Sequence, residues 1–238
     1  MIVAANLKTN LTRAQSDSYI KELGKFLDQK SITQDVFVFP ATSSLNSHAT
    51  KINVGAQNAY PAECGAFTGE IGLVHLSEFG IKTILIGHSE RRHILGETQD
   101  EIAKKYEFYK SHGFQIIYCI GEPLEVRQAG NAALMEYLSA QYDGIDTSYE
   151  KLIIAYEPVW AIGTGLTPTL EDIESLHAAL KEKSTAPLLY GGSVKVSNAK
   201  EVMALRSVDG VLVGSAALYR EHFETMISYA QELEQEKQ

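Results

Sequence analysis

Eight short runs of apolar, often β-branched residues, separated by segments with helical spacing, constrain this 238-residue chain more than any other feature. They fall at 2–5, 36–39, 52–54, 83–86, 115–120, 152–156, 188–190 and 208–213. A strand that is apolar on both faces needs cover on both faces, which is the condition of a parallel sheet flanked by helices. Eight strand–helix units in this length suit a closed (β/α)8 barrel, with eight parallel strands inside an outer ring of helices. A doubly wound open sheet is the alternative that the same pattern allows. With 45% hydrophobic and 21% charged residues and no polar or repetitive tract, the chain reads as one domain over 1–238.

A formal net charge of −9 argues against nucleic acid or an anionic membrane as partner, because both depend on clustered Lys and Arg. An anionic substrate would need a local positive site. Only the five residues before Asn6 form an apolar start, and no apolar run reaches the ~18 residues of a membrane span, so neither secretion nor spanning is expected. The two cysteines, Cys64 and Cys119, lack CxxC spacing, and a cytoplasmic location is the expectation. The seven histidines show no HxxxH or HxH pair with a carboxylate set, so no metal is expected.

Active sites of such barrels lie at the C-terminal ends of the strands. Asn6 and Lys8 follow the first run, His88-Ser89-Glu90-Arg91 the fourth, Glu157 the sixth, Gly191-Gly192-Ser193 the seventh and Gly214-Ser215 the eighth. Gly-rich turns after strands seven and eight let backbone N–H groups approach an anion without a Cβ in the way. A carboxylate at the end of an apolar strand acts as a general base when the site is closed to water. Taken singly, Glu157 also fits a solvated strand end, His88 a hydrogen-bonded structural group and Lys8 a surface charge. Thr169, with Asp172 three residues on, signals the start of a helix over 170–183. The stretch from Glu157 to Pro168 is then longer than most strand–helix connections and reads as a binding element, a lid over the site.

Six strings carry a resemblance: Ala5-Asn-Leu-Lys-Thr-Asn10, Ile86-Gly-His-Ser-Glu-Arg-Arg-His93, Tyr118-Cys-Ile-Gly-Glu122, Ala155-Tyr-Glu-Pro-Val-Trp-Ala-Ile-Gly-Thr-Gly165, Tyr190-Gly-Gly-Ser193 and Asp209-Gly-Val-Leu-Val-Gly214. In this order and spacing the chain resembles the triosephosphate isomerases, from residue 2 to about residue 220.

The resemblance implies a TIM barrel that interconverts dihydroxyacetone phosphate and D-glyceraldehyde 3-phosphate through an enediolate, in glycolysis and gluconeogenesis, with no cofactor and no metal. It implies Glu157 as the proton shuttle and His88 as the polarising acid, a pairing for which this family is the standard illustration. It further implies Lys8 as fixed positive charge near the oxyanion and phosphate, Asn6 as an orienting group, and Gly163, Ser193, Gly214 and Ser215 as backbone positions for phosphate. Glu90 matches a second acidic residue, and Cys119 reads as packing beside the site. The chain departs from the family pattern at Leu7, where a tryptophan is usual, at Ser215 in place of a glycine, and at Leu166 and Pro168 in the lid's far hinge.

By the same resemblance the loop from Gln57 to Glu70, with apolar Phe67 at a polar tip, sets Thr68 beside Asn6 and Lys8 of a neighbouring subunit in a homodimer. Two other classes stay open on the residues alone: a barrel aldolase with Lys8 as Schiff base, and a non-catalytic phosphate-binding protein.

Overall fold

The apolar runs pair edge to edge as parallel strands of a single eight-stranded sheet. The computed structural model describes residues 1–162 and 167–236, so Gly163 and Leu166, and the lid reading that depends on them, lie outside the described residues. The strands are β1 (Ile2–Asn6), β2 (Asp35–Phe39), β3 (Asn53–Val54), β4 (Thr83–Ile86), β5 (Gln115–Ile120), β6 (Leu152–Tyr156), β7 (Leu188–Tyr190) and β8 (Gly210–Val213). The helices are α1 (Arg13–Gln29), α2 (Leu73–Glu78), α3 (Ser89–His93), α4 (Gln99–Ser111), α5 (Leu124–Gln128), α6 (Asn131–Ala140), α7 (Leu170–Lys181), α8 (Val196–Ala204) and α9 (Arg220–Gln235).

The sheet runs β3-β2-β1-β8-β7-β6-β5-β4, and its two ends meet at Ala56. Ala56 donates its N–H to the Thr83 carbonyl at 2.9 Å and accepts from Leu85 N–H at 2.8 Å, which closes the ring and excludes the open doubly wound sheet. The chain is thus the expected (β/α)8 barrel.

Strand bounds differ from the apolar runs by one or two residues, for local reasons. The third strand starts at Asn53 because Ile52 N–H turns to the Thr50 hydroxyl. The eighth starts at Gly210 because Val208 N–H closes a turn on the Leu205 carbonyl. The Thr169 signal holds: its hydroxyl accepts from Asp172 N–H at 3.1 Å, and an Asp172 carboxylate oxygen accepts in return from Thr169 N–H at 3.2 Å. The helix it starts ends at Lys181, two residues short of the expected 183.

Alternation along the strands sorts the core into two. Ile2, Ala4, Phe37, Phe39, Leu85, Ile117, Cys119, Ile153, Ala155, Leu189 and Leu212 pack together inside the ring, while their neighbours such as Val3, Val38, Ile84, Tyr118, Ile154 and Val211 pack outward under the helices. One further step of two beyond the inner layer gives Asn6 after Ala4, Glu157 after Ala155, Gly191 after Leu189 and Gly214 after Leu212. All four line the mouth of the barrel. The same alternation that fills the barrel therefore aims these residues into its opening.

Among the described residues no helix is long and apolar enough to cross a membrane.

Behind the mouth, on the outer face of β6 and β7, His177 of α7 packs 5.7 Å from the Tyr156 ring and 6.0 Å from the Tyr190 ring. Its Nδ1 sits 3.3 Å from the Ser207 carbonyl, which only accepts, so Nδ1 carries the proton of a neutral ring. Burial pushes its pKa down from 6.5 to about 4. The unfolded chain then takes up a proton that the folded chain refuses. This contribution is complete above pH 6.5 and is lost as the pH falls towards 4. Urea unfolding at pH 7 and at pH 4.5 should show the wild type losing stability on acidification, and His177→Phe losing less by up to about 3 kcal/mol. Identical pH profiles for the two proteins would refute the assignment.

Candidate active site

The mouth holds a cavity of about 550 Å³ lined by Asn6, Lys8, His88, Glu157, Ser193, Gly214 and Ser215, together with Ile162, Gly191, Gly192, Lys195, Tyr219 and His222 among others. Nine residues singled out in the sequence, Gly191 and Gly192 included, therefore meet in one place, drawn from the ends of β1, β4, β6, β7 and β8. Glu90 stands beside them through Lys8, whose Nζ is 2.6 Å from Glu90 Oε1. Thr68 is exposed on the 57–70 loop and does not line the mouth of its own chain.

Lys8 has φ = 51°, a left-handed conformation that is uncommon for a residue with a side chain. Two groups hold it there. Asn6 Oδ1 accepts the Lys8 N–H at 3.0 Å, and Gln57 Nε2 donates to the Lys8 carbonyl at 2.8 Å. Gln57 also donates to the Phe39 carbonyl at 2.9 Å, so the first residue of the 57–70 loop ties the end of β2 to the turn that carries Lys8.

Glu157 is 2% exposed, and each carboxylate oxygen has its own partner. Oε1 lies 2.9 Å from His88 Nε2, and Oε2 accepts from Ser89 N–H at 2.9 Å. Burial alone favours the uncharged acid. The His88 ring, the Ser89 N–H and the Lys8 charge outweigh it and hold the carboxyl below its ordinary range, so it is ionised at neutral pH.

His88 caps the short α3, its Nδ1 accepting from Glu90 N–H at 3.3 Å. A backbone N–H only donates, so this contact leaves Nδ1 with a free lone pair and the ring proton on Nε2, facing Glu157. Burial pulls the ring's pKa down, and the Glu157 carboxylate raises it beyond that, for a net upward shift. The attraction belongs to the contact with Glu157. A ligand that separates the pair removes it and leaves burial, the Glu90 N–H and the Lys8 charge, which favour the neutral imidazole, set against the Glu90 carboxylate 3.7 Å from Nδ1.

Cys119 lies fully buried in the barrel beneath this pair, and burial, followed by the Glu157 charge, pushes its thiol well above the usual range. It stays protonated and packs, in keeping with the sequence reading.

Sequence reasoning passed over three residues that shape the site. Gln57 is one. Glu122, fully buried, accepts from Tyr156 OH and Trp160 Nε1, both at 2.9 Å, and so anchors the segment after Glu157. Its position within Tyr118-Cys-Ile-Gly-Glu122 was the available signal. Lys195, one residue beyond Val194 and at the foot of α8, lines the mouth with no signal of its own in the sequence.

Two glycines permit close approach. A Cβ on Gly192 would come within 2.2 Å of the Tyr190 hydroxyl, and one on Gly121 within 1.8 Å of the Glu157 carbonyl oxygen. The backbone that positions Glu157 thus rests directly on Gly121.

The fold and the mouth define a (β/α)8 barrel with a buried carboxylate–imidazole pair and a lysine at the C-terminal ends of its strands, the layout of a barrel enzyme built for proton transfer. The family model for triosephosphate isomerase matches residues 1–230. A triosephosphate isomerase of Sulfurimonas denitrificans is 68% identical over 234 residues, covering 98% of both chains. One of a Sulfurovum species is 59% identical over 227 residues, covering 95% of this chain and 99% of the other. One of a Nitratiruptor species is 52% identical over 233 residues, covering 98% and 100%. The chain belongs to the triosephosphate isomerase family.

Gly121→Ala should lower the unfolding free energy by more than about 2 kcal/mol, because the methyl group meets backbone that has nowhere to relax. The His88 imidazole resonance should move with it as Glu157 is displaced. A variant of native stability with an unshifted His88 signal would show that the contact does not position the base.

Proposed function

We propose that this chain interconverts dihydroxyacetone phosphate and D-glyceraldehyde 3-phosphate, with Glu157 moving the proton between the two carbons. The observation that carries this reading is the ionised, fully partnered Glu157 carboxylate 2.9 Å from His88 Nε2 in the mouth of a barrel of this family. Substrate enters between the two groups. Glu157 takes a proton from the carbon next to the carbonyl, and the electron pair moves onto the carbonyl oxygen. His88, neutral and with its proton on Nε2, donates a hydrogen bond to that oxygen as negative charge builds on it. The hydroxyl proton passes from the adjacent oxygen to the former carbonyl oxygen, with the His88 imidazole between the two, and Glu157 returns its proton to the former carbonyl carbon, so the reaction balances without an outside oxidant or reductant. Lys8 supplies fixed positive charge beside the enediolate, and Asn6 holds the Lys8 turn and orients the substrate. A preaimed donor in a dry site contributes roughly 3 kcal/mol to the transition state. The phosphate sits against Ser193, Gly214 and Ser215, where strand-end glycines let backbone N–H groups approach. At Ser215 the replacement of a glycine leaves the N–H in place.

A Schiff-base role for Lys8 is the less favoured reading, since its Nζ is engaged by Glu90 at 2.6 Å. In the cell the reaction serves glycolysis and gluconeogenesis, in the cytoplasm.

The same reading extends to a homodimer through the 57–70 loop, with Thr68 reaching Asn6 and Lys8 of the second copy. Phe67 is 40% exposed with its ring 4.1 Å from that of Tyr60, and Val74, Ile94 and Leu95 are exposed at 47%, 75% and 65%. Large apolar side chains at this level of exposure call for a covering surface.

Glu157→Gln should lower kcat by about 10²–10⁴-fold in an assay coupled to glycerol-phosphate dehydrogenase, with little change in the affinity for inorganic phosphate. Near-normal turnover would overturn the role of Glu157. Light scattering should give twice the chain mass of 26.2 kDa. Phe67→Glu should shift the population to monomers of low activity, and a fully active monomeric wild type would end the dimer reading.

A further inference from the structure

The charged groups of the mouth balance, and one lysine is what keeps them from being net negative. Among the side chains that line the cavity, Lys8 and Lys195 are the cations and Glu157 is the carboxylate. Lys8 is already matched by Glu90 at 2.6 Å. Arg220, the next cation on the β8 side, is taken up by Glu221 and Glu224. Lys195 is exposed, and among the described residues its ammonium has neither an ion pair nor a side-chain hydrogen bond. Without it the group formed by Lys8, Glu90 and Glu157 is net negative, within a chain whose total is −9. A phosphate monoester carries close to two negative charges at neutral pH, and such a mouth would repel it.

We propose that Lys195 is the residue that draws the phosphorylated substrate into the mouth: a positioning residue on the rim, next to the turn after β7, that governs capture and not the chemical step. This rests on reading the mouth as a site for a phosphorylated triose. A rim charge of this kind acts on association and on salt dependence, because it stays in water and is screened by ions.

The test compares the wild type with Lys195→Gln, Lys195→Glu and Lys195→Arg. Binding of glycerol 3-phosphate, which carries the phosphate but has no carbonyl to react, is measured by calorimetry. The salt is raised from about 20 to about 300 mM, across which the screening length falls from roughly 20 to roughly 6 Å. Turnover of the triose phosphate is followed in parallel. At low salt, Lys195→Gln should weaken binding and lower kcat/KM about threefold, and Lys195→Glu about tenfold, with kcat unchanged. At high salt the gap should close to within about twofold, and Lys195→Arg should match the wild type throughout. The proposal is overturned if Lys195→Glu binds like the wild type at low salt, if its loss does not shrink with salt, or if kcat falls while KM holds. Because the binding arm needs no turnover, an inactive wild type whose ligand affinity still depends on Lys195 and on salt would sink the isomerase reading and leave this one standing.

Discussion

A closed ring of parallel strands admits side chains of only one parity to its interior, and the rest of this molecule is arranged around that restriction. The inner parity packs as a layer of Ile, Leu, Phe and Ala from every strand except the short β3, and the outer parity packs beneath the helices. Because the strands are parallel, all of them end on the same side. The first inner-parity position above the packed layer therefore falls at one mouth for each strand, and there Asn6, Glu157, Gly191 and Gly214 meet although they are far apart in sequence. Closure at Ala56 is what keeps the ends in register, since two backbone hydrogen bonds there replace the missing length of β3.

Within that mouth, burial and charge oppose each other on the Glu157–His88 pair. Burial would neutralise Glu157 and His88, and the pair resists by facing each other at 2.9 Å with a backbone N–H behind each. Glu122, without a basic partner of this kind, is driven upward by its burial against the hydrogen bonds of Trp160 and Tyr156. Three carboxylates close to the same cavity thus hold different charge states or exposures: Glu157 is buried and ionised, Glu122 buried and shifted towards the neutral acid, and Glu90 open to solvent on Lys8. The environment, and not the residue type, assigns the chemistry available to each.

Strands were legible in the sequence because apolar runs of three to six residues have few other uses, and the late starts of β3 and β8 trace to single turn hydrogen bonds at Thr50 and Leu205. The site residues were legible for a related reason: polar groups directly after such runs stand out, and Glu157 and His88 sit in long specific strings. Gln57 and Lys195 were not legible as parts of the site, and Glu122 was legible only as the last residue of the string from Tyr118. Gln57 and Glu122 act through contacts with backbone or side chains 18 to 49 residues distant in sequence, which no local spacing reports. Lys195 differs from the other lysines that have no ion pair in lining the mouth, a property of the surroundings.

The left-handed backbone at Lys8 also bears on how this position varies over evolutionary time. The residues that adopt such a φ at least cost are glycine and asparagine, and neither carries a cation. Arginine keeps the charge and meets the same backbone strain, with a longer and broader head to fit beside Glu90. A lineage drifting away from lysine here gives up either the charge or the fit, and cannot recover it by easing the turn, because Asn6 and Gln57 hold that turn from both sides. The position is fenced by geometry as well as by chemistry while both clamps remain.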